Sequence, residues 1–360
     1  MRFTKFLAFI AAAATLMVGC GGDNPEDVDK PKGGATLKSD VQSVEVNNPI
    51  TFTVTAEDGT DITAEATIFD KTHNFAEVSN PFTPTEDGKY EFYAVAGNAI
   101  TETIEVVVLP SIPALPADTN EASTEFKHRI LLVDHTGNTC GYCPKMMLAL
   151  KEVSETGDYH SKYYEAMSHS YASSDPATSA SANAISSYFG ITSYPTLTYN
   201  FAYSTSSSYN AEHIKSQIDA QWKESADAGI AASASLATSS VVVNAEVKAA
   251  VENEYRINAW LLEDGIVANQ TNGTEEWMNT HNNAIRQAVK TNPISGMELG
   301  TIKAGEKASL AMSLEITSSK WVRDNLKVMV IASAKNANGK FEVVNVAICP
   351  VDGSVTYDYK

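Results

Sequence analysis

The sequence predicts a multidomain chain in which an α/β layer domain stands between two β-sandwiches. Three observations carry this. Residues 34–109 and 229–360 alternate apolar and polar side chains at strand spacing, with turn residues between the runs. Residues 127–228 mix short apolar runs with apolar residues at helical spacing. The length, 360 residues, suits two or three domains. Composition narrows the function classes. Hydrophobic residues make up 43%, enough for ordinary cores. Acidic residues outnumber basic ones by 44 to 26, a net charge of −18, and no basic run is present. That argues against a nucleic-acid partner, because phosphate binding needs clustered Lys and Arg. Four cysteines are too few for a disulfide-dense scaffold.

The first 19 residues read as an address. Arg2 and Lys5 make a positive start, and Phe6 to Val18 is mostly apolar. That run is too short to span a bilayer as a helix and fits the apolar core of a signal peptide. It ends in Leu16-Met-Val-Gly-Cys20, which resembles a bacterial lipobox. The resemblance implies cleavage before Cys20 and lipid on its sulfur, so the partner at this end is a membrane. The mature chain then carries 24 basic and 44 acidic residues, a net charge of −20. Residues 20–33 are polar, acidic and rich in Gly and Pro, a flexible tether. An acidic stretch behind a lipidated Cys also resembles a surface-export signal of some Gram-negative lipoproteins; a plain linker is the alternative.

In residues 34–109, Ile50 to Thr55, Tyr90 to Val95 and Ile104 to Val108 read as strands. Asn47-Asn48-Pro49, Asp58-Gly59 and Asp87-Gly88 supply turns. Glu86 to Tyr90 resembles the tyrosine corner of immunoglobulin-like domains, which implies an immunoglobulin-like sandwich serving as a recognition module or as a spacer. Residues 110–126 carry Pro110, Pro113 and Pro116 and read as a semi-rigid linker.

In residues 127–228, Ile130 to Val133 suits a buried strand, and Met146 to Val153 a helix. Ser181 to Phe189 reads as a second helix, and Pro195 to Phe201 as a strand. Asn210 is placed to cap a helix through Asp227, with Ile214, Ile218 and Trp222 on one face. In residues 229–360 the expected strands are 239–247, 255–262, 308–316, 326–332 and 341–348, with one helix-like insert over 275–289. They predict a C-terminal β-sandwich-like domain.

The chemistry lies in Cys140-Gly-Tyr-Cys143. If a helix starts at the first Cys, its N–H groups point at that sulfur and favour thiolate. The second Cys lies one turn on, near enough to close a small disulfide. Pro144 suits a first helical turn, where N–H groups lack partners. From the residues alone, three uses stay open: a dithiol active in exchange, a structural disulfide, or a zinc site completed by His135 or His169. No Ser-His-Asp elbow, phosphate-binding glycine loop or metal-ligand helix is present, and no cofactor or metal is expected.

The stretch Ile130 to Lys145 resembles the strand–active-site–helix segment of thioredoxin-fold proteins. Gly190 to Thr196 resembles their cis-proline loop. Residues 134–144 (Asp-His-Thr-Gly-x-x-Cys-Gly-Tyr-Cys-Pro), Tyr194-Pro-Thr196 with Asn200, Trp260 to Val267, His281 to Arg286 and the strand Phe341 to Val346 resemble the 28-kDa outer-membrane protein family. That resemblance spans about 127–350 and implies a thioredoxin-like domain joined to a C-terminal β domain. It further implies Cys140 as attacking thiolate, Cys143 as resolving thiol, Asp134 as its proton partner and Pro195 as the groove proline. His135, Tyr142, His169 and Tyr194 are candidate neighbours of the site. Thr139 stands where thioredoxins have Trp, and Tyr194 precedes Pro195 in place of a small hydroxyl residue. Cys349 is expected to be a buried thiol on the last strand, with a reactive thiol as the alternative. The expected product is an outer-membrane lipoprotein, periplasmic or surface-exposed, that exchanges disulfides with extracytoplasmic protein thiols. The alternative is a surface binding or adhesion protein, with an unknown ligand, in which Cys140–Cys143 is a staple.

Overall fold

The computed structural model describes residues 34–201, 205–290 and 292–360. The expected signal peptide, Cys20 and the tether lie outside the described residues. Among the described residues, no helix is long and apolar enough to cross a membrane. The chain divides after Ser111 into two compact units.

The first unit is all β. Ala35–Ser39 pairs antiparallel with Phe52–Ala56. A second sheet is built on Gly88–Ala96, flanked by Ile104–Leu109 and Thr67–Asp70. Alternation along these strands turns Phe52, Val54, Tyr90, Phe92, Ala94, Val106 and Val108 into one core. The Tyr90 hydroxyl donates to the Glu86 carbonyl (2.9 Å), the contact expected of a tyrosine corner.

The second unit holds the cysteine pair. Its elements are β1 (Ile130–Thr136), α1 (Cys143–Glu155), β2 (Tyr163–His169), α2 (Ala180–Tyr188), β3 (Thr196–Tyr199), β4 (Thr205–Ser206), α3 (Ala211–Gln221), β5 (Ala228–Leu236), β6 (Ser240–Ala249), β7 (Asn253–Glu263), β8 (Ala284–Ala288), β9 (Met297–Ile302), β10 (Lys307–Glu315), β11 (Leu326–Lys335), β12 (Phe341–Pro350) and β13 (Gly353–Val355). One sheet runs β4-β3-β1-β2-β8-β7-β11-β12, with β9 also paired to β7. β1 and β2 are parallel, and β3 runs antiparallel to β1. A four-stranded sheet, β10-β6-β5-β13, packs on the β7–β11 end.

Three cores follow from residue alternation. Ile130 and Leu132 of β1 meet Met146, Ala149 and Leu150 of α1 and Ile214 and Ile218 of α3. Leu131 and Val133 face the other way, towards Ala182 and Ile185 of α2, in a core shared with Trp260, Leu262 and Ile285. Tyr255, Ile257, Ala259 and Leu261 of β7 face the four-stranded sheet.

The structure differs from the sequence-based expectations at several points. No helix spans 275–289. Glu276–Asn279 is one 3-10 turn, and Thr280–His281 and Ala284–Ala288 are strands. Alternate side chains there, Ala284, Arg286 and Ala288, are all buried against neighbouring strands, so strand pairing overrides a weak helical spacing. The third helix stops at Gln221. Trp222 is its C-cap, still packed against the core of Ile214 and Ile218, and its indole donates to the His128 carbonyl (3.1 Å). The sequence divides 127–228 from 229–360, whereas β2 and β8 pair in parallel across that division. Part of the proline-rich stretch is docked. Asp118 pairs with Lys248 (3.0 Å) and Lys307 (2.7 Å), and the Asn244 side chain donates to the Pro113 carbonyl. Lys248 is fully buried and also donates to the carbonyls of Asn120 and Glu121. A buried ammonium needs that many acceptors.

Candidate functional site

The carboxyl end of β1 feeds a tight turn, 137–142, into α1. Cys140 and Cys143 form a disulfide there. The helix begins at Cys143, with Tyr142 as N-cap and Pro144 in the first turn. Cys140 thus lies in the turn before the helix instead of at its first position. The Cys143 N–H donates to the Cys140 carbonyl (3.3 Å). Cys140 is 2% exposed and Cys143 fully buried, while Tyr142 stands out at 62%. Lys145 lies over the rings of both Tyr142 and Tyr209 (5.2 and 5.1 Å).

Asp134 lies two residues beyond Leu132 on the face of β1 that packs on α1. It is fully buried, and neither carboxylate oxygen has a hydrogen-bond partner. Burial, and then the nearby Glu165 carboxylate, hold its pKa well above the usual range. Glu165 on β2 pairs in register with Leu132, on the same face. Burial raises Glu165 to about 7, against a smaller downward pull from Lys327. The Tyr199 hydroxyl on β3 is also buried without a partner. An orphaned cluster of polar atoms thus lies in the α1-facing layer of the sheet.

Pro195 follows a cis peptide bond and is buried at the start of β3, beside β1. The Tyr194 hydroxyl donates to the Ser170 carbonyl (3.2 Å), and its ring packs edge-on against Tyr171. His135 faces α2: its ring nitrogens meet Ser186 Oγ (2.7 Å) and Thr198 Oγ1 (3.1 Å), and burial lowers it to about 3. These partners lie on α2 and β3, and neither belongs to the cysteine turn. His169 pairs with Asp175 (2.8 Å), both fully buried side chains, and its ring meets His281 edge-on (4.9 Å). Among the described residues, no group of His, Cys, Asp and Glu is arranged to hold a metal. Cys349 is buried on β12, where burial pushes its thiol up to about 11. Arg286 forms a buried ion pair with Glu263 (2.6 Å) and donates to the Pro176 carbonyl.

Several site residues carry no local sequence signal. Asp175 accepts from the Asn138 N–H (2.7 Å) and so ties down the cysteine turn. Burial pushes Asp175 up, but the His169 contact and the N–H groups of Asn138 and Ala177 outweigh it and leave it lowered. Gln270 donates to the carbonyls of Cys140 (3.1 Å) and Gly137 (3.3 Å). Those contacts cross about 130 residues of chain, so no spacing rule reveals them.

Sequence and fold comparisons bear on this unit. Residues 182–352 match the model of the Omp28 outer membrane protein family. Over that segment the chain is similar to Omp28 proteins. The match ties it to outer-membrane proteins and bears out the family resemblance. The Omp28 segment begins after the cysteine pair and includes Pro195 and Gln270. Among solved structures, HBP35 of Porphyromonas gingivalis aligns with a TM-score of 0.52 at 15% identity, over 64% of this chain and 77% of that one. At that identity the likeness is one of fold. A membrane anchored protein of Corynebacterium diphtheriae aligns with a TM-score of 0.22 at 9% identity, over 92% of this chain and 60% of that one. No curated protein matches the chain in sequence.

Proposed function

We propose that this outer-membrane-associated protein exchanges disulfides through Cys140 and Cys143. One observation carries the reading: Asp134 is a buried carboxyl without a hydrogen-bond partner, on the α1-facing side of the strand that leads into the disulfide turn. Such a group costs stability and does nothing for a structural staple. It suits a site where a proton must be held. A substrate thiolate attacks Cys140 Sγ, forming a mixed disulfide and breaking the Cys140–Cys143 bond. Cys143 leaves with the electron pair and takes the proton from Asp134. A second substrate thiolate then attacks the substrate's own sulfur and releases Cys140 as thiolate. The substrate dithiol is oxidised and the protein disulfide reduced; the reverse sequence runs the reverse transfer.

The burial of Cys140 favours a second reading, a surface binding protein with a structural disulfide. Lipid attachment at Cys20, a thioredoxin-like domain and an immunoglobulin-like first unit belong to the same proposal; the lipobox pattern, the strand order of the second unit and the Tyr90 contact support them. Cys143→Ala removes the resolving thiol and should trap partners on Cys140 in intact cells, released by reductant. Folded Cys143→Ala protein that carries no covalent partner, with or without Gln270→Ala, would favour the staple.

A further inference from the structure

The cysteine turn is roofed by a distant segment of its own chain. Between β7 and β8, a short ribbon pairs Ile266–Val267 with Thr280–His281. Residues 268–273 project from it onto the turn. Gln270 Nε2 donates to the carbonyls of Gly137 and Cys140, the Thr271 N–H to Asn138 (2.8 Å) and Asn272 Nδ2 to Gly141 (3.2 Å). Three consecutive residues therefore occupy carbonyls of four of the turn's residues.

The projecting segment has its own foot. Asn279 accepts from the N–H groups of Ala268 and Gln270, His281 bonds the Ala268 carbonyl, and Met278 is fully buried. Asn272 itself is exposed, while Gln270 is 3% exposed beneath it. Every contact to the turn goes to a backbone carbonyl, so none depends on whether the sulfurs are bonded. None is needed to close a disulfide between residues three apart.

We infer that residues 268–273 are a cover over Cys140, with Gln270 as the latch that positions the cysteine turn. A reacting thiol reaches Cys140 after the cover lifts. The inference deepens the exchange reading and rests on it for its biological use. The opening itself is measurable without any exchange.

The test uses the full chain with Cys143→Ala, which leaves Cys140 as a free thiol. Its alkylation by iodoacetamide and by a bulky maleimide is followed by peptide mapping, which separates it from Cys349. Gln270→Ala should speed alkylation of Cys140 by about tenfold, the order expected for losing two ordinary hydrogen bonds. The bulky reagent should gain more than the small one. Gly141→Ala attacks the latch from the other side, because a Cβ there would lie 2.9 Å from Asn272 Nδ2. It should accelerate the same reaction, so the inference does not hang on one variant folding. Equal rates in the parent and both variants overturn the cover. So does a parent rate matching that of the urea-unfolded chain. If alkylation is gated but opened variants trap no partner in cells, the cover stands and the exchange reading falls. If it is ungated but partners are trapped, the reverse holds.

Discussion

Asp134 and Glu165 sit on one face of the sheet with folded-state pKa values above the ordinary carboxylate range, Glu165 at about 7 against 4.5. Such groups support the fold fully below the unfolded pKa and lose that support as pH rises through the folded value. His128 and His135 work in the opposite sense. Burial lowers them to about 4 and about 3, so their support is present above 6.5 and is lost as pH falls towards those values. Single-site variants should therefore tilt the stability profile in opposite directions. Glu165→Gln should gain about 2 kcal/mol on the parent between pH 4.5 and 8, a figure kept low because Glu165 retains some solvent contact. His135→Gln should gain about 2 kcal/mol between pH 8 and 5. Urea midpoints across that range measure both, and profiles parallel to the parent's would contradict the assignments. Asp134→Asn should slow disulfide reduction at pH 7 by about a hundredfold if Asp134 supplies the proton, read by stopped-flow with a small dithiol. Of these residues, Asp134 was expected from the resemblance to thioredoxin-fold proteins. Glu165 was not, because its partner lies on another strand.

At the scale of elements, strand and helix cores followed the patterns closely, and the ends followed local chemistry. Asn210 caps α3 as its side chain predicts, accepting from the His213 N–H (3.0 Å). The other end of that helix and the 275–289 segment did not follow. The contacts that decide them, Trp222 on His128 and Arg286 on Glu263, span 94 and 23 residues. The stretch before β1 is held in a similar way. Phe126 is fully buried and lies against Gly229, where an added Cβ would come within 2.4 Å of its ring. Gly229→Ala should therefore destabilise the second unit by about 2 kcal/mol through overpacking, measured as a lowered denaturation midpoint. An unchanged midpoint would mean that Phe126 moves aside freely.

At the scale of the whole molecule, the second unit is joined by its large sheet. Cutting at residue 228 would expose the β2 edge and strip Trp260, Leu262, Ile285, Met329 and Ile331 from the core around α2. Residues 127–228 produced alone should aggregate or stay molten, whereas residues 112–360 should unfold in one cooperative transition. Dispersed NMR spectra from the short fragment would refute this. The same continuity places Gln270, 130 residues along the chain, on the cysteine turn.

The sequence by itself determined what depends on neighbours a few residues apart. That covers the strand and helix periods and the Cys140-Gly-Tyr-Cys143 spacing, while the resemblance to thioredoxin-fold proteins pointed to Asp134 and Pro195. Tertiary structure alone decided what depends on residues far apart in the chain. It turned the expected insert into strands, docked Asp118 on Lys248, sent His135 towards α2, orphaned Glu165 beside Asp134, and laid residues 268–273 over Cys140. The reason is physical: periodicity and turn chemistry are local, whereas burial and the satisfaction of buried polar groups are set by whichever distant segment packs against them.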